Sequence, residues 1–340
     1  MTTVSLTSPL STVQTPQTAK AIRLIDTKLI NREQWLSVRQ QGIGSSDAAA
    51  AIGLNPYQSQ LALWLEKTGR ATQAQPDPDD DTSPMYWGTV LEPIVAQHYS
   101  KRTGNKVRRV NAVLQYPNES FMLANLDREI VGNADVQVLE CKTAGIHGAK
   151  LWADGVPEYV QVQVMHQLAV TGKRAADVAV LIAGQELRVY RIERDEQMIA
   201  NLIELKRQFW HYVETDTAPP ADGSDSAETS LRCLFPHDNG ESVDFSHDAD
   251  LNHVFEDLLA IRQTLKANEA QESLLRQRIE QEMGNASKAQ FQSGTVTWKR
   301  SKDSLVLDTA KLNAEQPALV AQYQTQRAGS RRFVLSGKVS

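Results

Sequence analysis

The sequence predicts an α/β chain, with a central mixed sheet flanked by helices and a smaller, mainly helical C-terminal extension. Three observations carry that prediction. Segments of strand length alternate with segments of helical period, among them residues 157–171 and 195–215. The run at 176–184 is almost continuously apolar, as expected of a strand buried on both faces. Past Pro219-Pro220 the chain turns to Ala221-Asp222-Gly223-Ser224-Asp225-Ser226, a linker-like stretch, and residues 250–283 then contain neither Gly nor Pro. In that last segment Leu251, Val254, Phe255, Leu258, Leu265, Leu275, Ile279 and Met283 recur near helical spacing, which predicts a long amphipathic helix or a helical hairpin.

In chain order, residues 1–22 are rich in Ser, Thr and Pro without a long apolar run, which predicts a disordered tail rather than a signal peptide. A core over 23–218 follows. It has helices at 33–40 and 59–68, an alanine-rich helix at 47–52 that Ser45, Ser46 and Asp47 can cap, and a helix at 85–103. Strands are predicted at 107–115, 121–130 and 136–143, then a helix at 157–171, strands at 176–184 and 187–192, and a helix at 195–215. Residues 219–249 read as a linker and 250–340 as a helical C-terminal region with a strand at 294–299.

Composition sets bounds on function. The 340 residues are 41% hydrophobic and 23% charged, enough for one substantial core and a second small unit. Cys141 and Cys233 are the only cysteines, so a disulfide framework is not expected and the cytoplasm is the natural compartment. No run approaches a membrane span. The net charge of −5 argues against a nucleic-acid partner, but its distribution does not. Lys101, Arg102, Lys106, Arg108 and Arg109 place five cations in nine residues, while Asp77, Asp79, Asp80 and Asp81 pull the sum down. Such a run is either a solvated face or a phosphate track whose affinity falls with salt.

The chemistry concentrates at Leu139-Glu140-Cys141-Lys142-Thr143. Strand side chains repeat with period two, so Glu140 and Lys142 share a face, while Cys141 points away and offers its backbone carbonyl. Upstream, the apolar run 121–126 ends in Asp127, and Gly132-Asn133 makes a turn. If the two segments are neighbouring strands, Asp127 and Glu140 converge and can hold one or two divalent ions, since magnesium takes oxygen ligands. Lys142 can then orient or help deprotonate a water, or steady phosphate charge.

The Asp127…Glu140-x-Lys142 spacing is the signature of the PD-(D/E)xK restriction-endonuclease-like core. Gly88-Thr89-Val90-Leu91-Glu92, in the helix continuing through Tyr99, looks like the helical acid motif of RecB-like nucleases, and Gln161-Val162-Gln163 resembles their glutamine motif. With Gly42-Ile43-Gly44-Ser45-Ser46-Asp47-Ala48-Ala49-Ala50 and Leu63-Trp64-Leu65-Glu66-Lys67-Thr68-Gly69, these blocks stand in the order of the lambda exonuclease and YqaJ-type viral recombinase family, which the chain resembles over roughly residues 30–215. The resemblance implies Asp127, Glu140 and the Cys141 carbonyl as metal ligands, Lys142 as catalytic lysine, and Glu92 as an acid near the metals. It also implies a 5′-phosphate pocket from Arg39 and, seven residues on, Ser46, with Ser45 sharing the work. Gln161 and Gln163 cannot face the site together, because helical residues two apart diverge; Gln161 is favoured. Asn125 stands where a small hydroxyl residue can occur, so its phosphate contact departs from the pattern. His98, His147 and His166 lack ligand spacing.

The implied activity is Mg2+-dependent 5′→3′ degradation of one strand of linear duplex DNA, with Mn2+ able to substitute. The implied context is a homotrimeric ring and a single-strand annealing partner, encoded by a phage or prophage and acting in the bacterial host cytoplasm. Two readings compete: a nicking or branch-specific endonuclease built on the same cage, and a non-catalytic DNA-binding recombination factor. The C-terminal Lys299, Arg300, Lys302, Arg327, Arg331 and Arg332 are further candidate DNA contacts.

Overall fold

Two sheets organise the N-terminal half of the computed structural model, which describes residues 20–71, 77, 79–326 and 329–337. The chain divides into two units, Met1–Leu234 and Phe235–Ser340. Within the first, β1 (Ile22–Asp26) and α1 (Arg32–Gln40) lead to a 3-10 turn at Ser45–Asp47 that runs into α2 (Ala48–Ala51). Then come α3 (Gln60–Lys67), α4 (Pro84–Thr103), β2 (Lys106–Arg108), β3 (Ala112–Tyr116), β4 (Glu119–Ala124), β5 (Arg128–Val131) and β6 (Val138–Ala144). The unit ends with α5 (Glu158–Thr171), β7 (Ala175–Ile182), β8 (Glu186–Glu193), α6 (Glu196–Glu214) and α7 (Asp225–Leu234).

Local chemistry sets the boundaries of these helices. Asn31 accepts from the Gln34 amide while the Gln34 side chain accepts from the Asn31 amide, a reciprocal cap that starts α1. α4 begins with Pro84 behind the Ser83 cap and stops at Gly104, whose φ of 75° suits a residue without Cβ. Gly42 is required for a different reason. A Cβ there would stand 2.5 Å from the Phe121 carbonyl oxygen, so only glycine lets the loop before Ser45 lie against β4. Ile43 then exchanges backbone hydrogen bonds with Phe121 and Leu123.

The larger sheet has the order β2-β5-β6-β7-β8, with β6 and β7 parallel and the other pairs antiparallel. The expected mixed sheet with flanking helices is therefore what the chain forms. β7 is buried along almost its whole length, as its apolar run demands. It packs between α5 and α4, and α5 contributes the buried Val160, Val164 and Leu168 to the main core.

Several expectations need correction. The strand expected at 107–115 is two strands, β2 and β3, and the one at 121–130 is also two, β4 and β5. In each case the chain changes sheets, since β3 and β4 pair with β1 in a separate three-stranded sheet. Apolar periodicity does not reveal a change of partner. β6, which carries Glu140 and Lys142, is the third of the five strands of the larger sheet. Residue 22, placed in the tail, begins β1; residues 1–19 lie outside the described residues. The linker expected over 219–249 contains α7, whose small residues Ala227 and Ser230 are buried, and the Ser59 amide donates to Ser226 Oγ at 3.0 Å. Small polar residues read as linker when they can equally serve as close-packing helix contacts.

The second unit has one continuous helix, α8 (Ala249–Met283), capped by the Asp248 carboxylate. The expected strand at 294–299 is the second half of a hairpin, β9 (Lys288–Phe291) with β10 (Gly294–Thr297). Two short helices, α9 (Thr309–Glu315) and α10 (Pro317–Gln322), follow. Arg327 lies outside the described residues. Among the described residues, no helix is long and apolar enough to cross a membrane.

Candidate active site

β5 and β6 form an antiparallel pair with Arg128 opposite Leu139, which sets Asp127 beside the middle of β6. The Asp127 carboxylate accepts from the Cys141 backbone amide at 2.8 Å. Asp127 and Glu140, thirteen residues apart in sequence, are thereby joined on one strand face. Burial of the Asp127 carboxyl and the adjacent Glu140 charge push its pKa up to about 8.

Glu140 is only 2% exposed and well supplied with partners. Lys142 Nζ lies 2.7 Å from its Oε1, Gln163 Nε2 donates to the same oxygen at 2.6 Å, and Gln167 Nε2 donates to Oε2 at 2.7 Å. Gln163 also accepts from Lys142 Nζ at 2.8 Å, closing a ring of three side chains. Partial burial works against the Lys142 charge, but Glu140 and Asp127 outweigh it and raise the pKa of the ammonium. Lys142 thus keeps its ammonium charge beside the two carboxylates.

The glutamine expectation is corrected here. Gln163 faces the carboxylates, whereas Gln161 is exposed and donates to the Val156 carbonyl at 2.6 Å. Gln167 was not anticipated, although its spacing of four from Gln163 puts both on one helical face. Asn125 spends its amide on the Ala112 carbonyl at 3.2 Å. Glu92 accepts a hydrogen bond from Arg128 and raises the Asp127 pKa, so α4 does bring it to the border of the centre. His166 is fully buried and bonds the Leu123 carbonyl through Nε2 at 2.9 Å, a structural role.

Arg39 and Ser46 do come together, with Nη2 3.1 Å from the hydroxyl. Both also bind Asp47, whose other oxygen receives Lys67 Nζ at 2.7 Å and the Gly44 amide at 3.1 Å. Arg39 further stacks on Trp35, its guanidinium carbon 5.0 Å from the ring centre. Ser45 departs from the expectation: it is buried and its hydroxyl has no hydrogen-bond partner among the described residues, whereas Ser46 is exposed. Asp47 and Lys67 were not anticipated as parts of this pocket.

Among the described residues, no group of three or more His, Cys, Asp or Glu side chains is arranged to hold a metal ion. The donors present are nonetheless those a hard cation takes, namely the oxygens of Asp127 and Glu140 with nearby backbone carbonyls. The raised Asp127 carboxyl is what a site short of positive charge would show.

An acid before β5, an acid and a lysine on β6, and a glutamine-bearing helix packed over them stand together in the mixed sheet, at the positions of the Asp127…Glu140-x-Lys142 spacing. The YqaJ-like viral recombinase domain matches residues 34–174. The uncharacterized protein YqaJ of Bacillus subtilis (strain 168) is 35% identical over 293 residues, covering 85% of this chain and 89% of that protein. The chain belongs to the YqaJ-like viral recombinase family. Among solved structures, the alkaline exonuclease LHK-Exo of Laribacter hongkongensis is 20% identical, with 54% of this chain and 93% of that one covered and a TM-score of 0.44. The same enzyme in complex with dAMP gives 21% identity, the same coverages and a TM-score of 0.45. A phage-related exonuclease from Haemophilus somnus 129PT gives 9%, 54% and 99% coverage, and a TM-score of 0.38.

Proposed function

We propose that the protein is a Mg2+-dependent exonuclease that degrades one strand of linear double-stranded DNA in the 5′→3′ direction from a 5′-phosphorylated end. It leaves 3′ single strands for a partner annealing protein. The observation that carries this reading is the convergence of Asp127, Glu140 and Lys142 in one enclosed cluster, in which Asp127 forms no ion pair among the described residues and the Lys142 charge does not offset its burial and the Glu140 charge. Membership in a viral recombinase family supports the assignment to DNA ends.

Asp127, Glu140 and the Cys141 carbonyl would hold the metal. A bound magnesium ion would polarise water and offset phosphate charge, and manganese would serve in its place. Gln163 and Gln167 fix the Glu140 carboxylate so that it need not reorganise during the reaction. Lys142 sets positive charge beside the oxygens that become more negative as the phosphodiester is attacked. The Arg39–Ser46 pair, anchored by Asp47, presents a guanidinium and a hydroxyl to the terminal 5′-phosphate. A homotrimeric ring and a phage or prophage setting in a bacterial cytoplasm belong to the same proposal.

Linear duplexes with 5′-phosphate or 5′-hydroxyl ends, compared with closed circular DNA, test it. Mononucleotides are expected from the phosphorylated linear DNA, with the preference over hydroxyl ends falling about tenfold in Arg39→Gln, the scale of one charged contact. Cutting of the circle would instead make the protein an endonuclease.

A further inference from the structure

Glu92 does not face the carboxylate centre alone, because two arginines attend it. Its Oε1 accepts from Arg128 Nη1 and lies 4.0 Å from Arg109 Nη2. Arg128 follows Asp127 directly in the chain, and the same Nη1 donates to the Asp127 carbonyl at 2.6 Å. Glu92 acts on the Asp127 carboxyl, and both Glu92 and Arg128 act on Cys141, so the group borders the catalytic cluster.

The two guanidinium groups differ in exposure. The Arg128 side chain is 8% exposed, and that of Arg109 is 62% exposed. A guanidinium carries five N–H donors. Among the described residues, Arg128 bonds only through Nη1, and Arg109 makes no hydrogen bond. The other arginines of the 101–109 run are committed elsewhere: Arg108 forks onto Glu129 at 2.6 and 2.8 Å, and Arg102 donates to the Leu187 carbonyl. Arg109 is therefore an exposed guanidinium at the border of the centre, making no hydrogen bond among the described residues and held only by its 4.0 Å ion pair with the half-buried Glu92, with the buried Arg128 behind it. Bidentate donors of this kind match phosphate oxygens.

We propose that Glu92 and Arg128 position Arg109 as a phosphate-binding subsite of the nuclease centre, with Arg109 touching the backbone of the cleaved strand. Arg128 is then a positioning residue, and Glu92 serves as its anchor. This inference rests on the nuclease reading given above. It gives the basic run one specific member with a defined task.

The test is binding of a 5′-phosphorylated linear duplex across a sodium chloride series, with calcium in place of magnesium, alongside cleavage in magnesium. The proteins are the wild type, Arg109→Gln, Arg128→Gln, Arg128→Lys and, as a distant exposed cation, Arg232→Gln. Losing one phosphate contact lowers the slope of log K against log salt by about 0.9. That decrease is expected in Arg109→Gln and Arg128→Gln, with Arg128→Lys restoring the slope and Arg232→Gln leaving it unchanged. Duplexes with single neutral methylphosphonate linkages give the second readout. One linkage should weaken the wild type and leave Arg109→Gln no weaker than before. A wild-type slope in Arg109→Gln, or identical methylphosphonate profiles for the two proteins, would overturn the subsite. A wild type that cleaves no duplex would instead remove the nuclease reading itself.

Discussion

Asp47 and Asp127 are both enclosed aspartates in the first unit, and their surroundings treat them in opposite ways. Asp47 lies between two cations, Arg39 on one oxygen and Lys67 on the other, with the Gly44 amide as a third donor. Burial opposes its ionisation, but Lys67 and Arg39 overcome that and hold its carboxyl below the usual carboxylate range. Among the described residues Asp127 receives a single amide hydrogen bond, and burial together with Glu140 pushes its carboxyl the other way. The contrast separates an internal charge cluster that builds a pocket from a carboxylate left short of positive charge. Compensated acids hold structure together, and the uncompensated one marks where a ligand charge belongs.

The strongest way to break the comparison is Lys67→Met, which leaves Asp47 with one cation. Breaking a buried pair from one side costs about 3–5 kcal/mol, so denaturant unfolding should show a loss of that order. The sign of the pH dependence follows from the lowered Asp47 pKa. Its contribution to stability is present above the unfolded value near 3.8 and is lost as pH falls through the lower folded value. Wild-type stability should therefore decline in acid more steeply than that of Lys67→Met.

Next in size is the pair Gln163→Ala and Gln161→Ala. Groups that orient a ligating carboxylate typically matter by about 10–100-fold. Gln163→Ala should lower kcat by that amount, while Gln161→Ala, two residues away and turned to Val156, should keep a rate within about twofold. Equal losses in the two variants would undo the assignment of Gln163 as the facing residue.

The smallest effect is the most discriminating. Asp127→Asn removes a carboxyl whose ionisation the fold disfavours, and it should stabilise the metal-free protein by about 1 kcal/mol while stopping hydrolysis, the trade expected where a site stores unfavourable electrostatics. Asp47→Asn should destabilise. If both substitutions shift the denaturation midpoint in the same direction, the two aspartates are not opposites.

Much of this centre was legible in the sequence, for identifiable reasons. Glu140 and Lys142 share a face because strand alternation is fixed by backbone geometry, and the parallel register of β6 with β7 keeps them there. The convergence of Asp127 on Glu140 was legible from the two neighbouring segments, but the change of sheet at residues 125–127 was not, because strand period does not reveal a change of partner. Gln161 was preferred over Gln163 because a helix's rotation about its axis depends on packing. Once Val160 and Val164 enter the core, Gln163 and Gln167 turn together toward Glu140. Arg128 escaped notice because a single cation outside a motif carries no periodic signal, and Lys67, although inside the block 63–69, carries no partner in the sequence; only tertiary contact joins it to Asp47. The α7 segment was hidden by composition, since Ser226 and Ser230 pack as readily as they solvate.

The most direct test of the account is release of labelled nucleotide from a 5′-phosphorylated linear duplex in magnesium, for the wild type and Lys142→Ala, with EDTA as a parallel condition. The account predicts steady mononucleotide release by the wild type, none in EDTA, and a rate lowered by about 1,000-fold or more in Lys142→Ala, the scale of one preorganised charge-stabilising group. Equal rates for wild type and Lys142→Ala, or undiminished release in EDTA, would contradict the assignment of chemistry to the Asp127–Glu140–Lys142 centre.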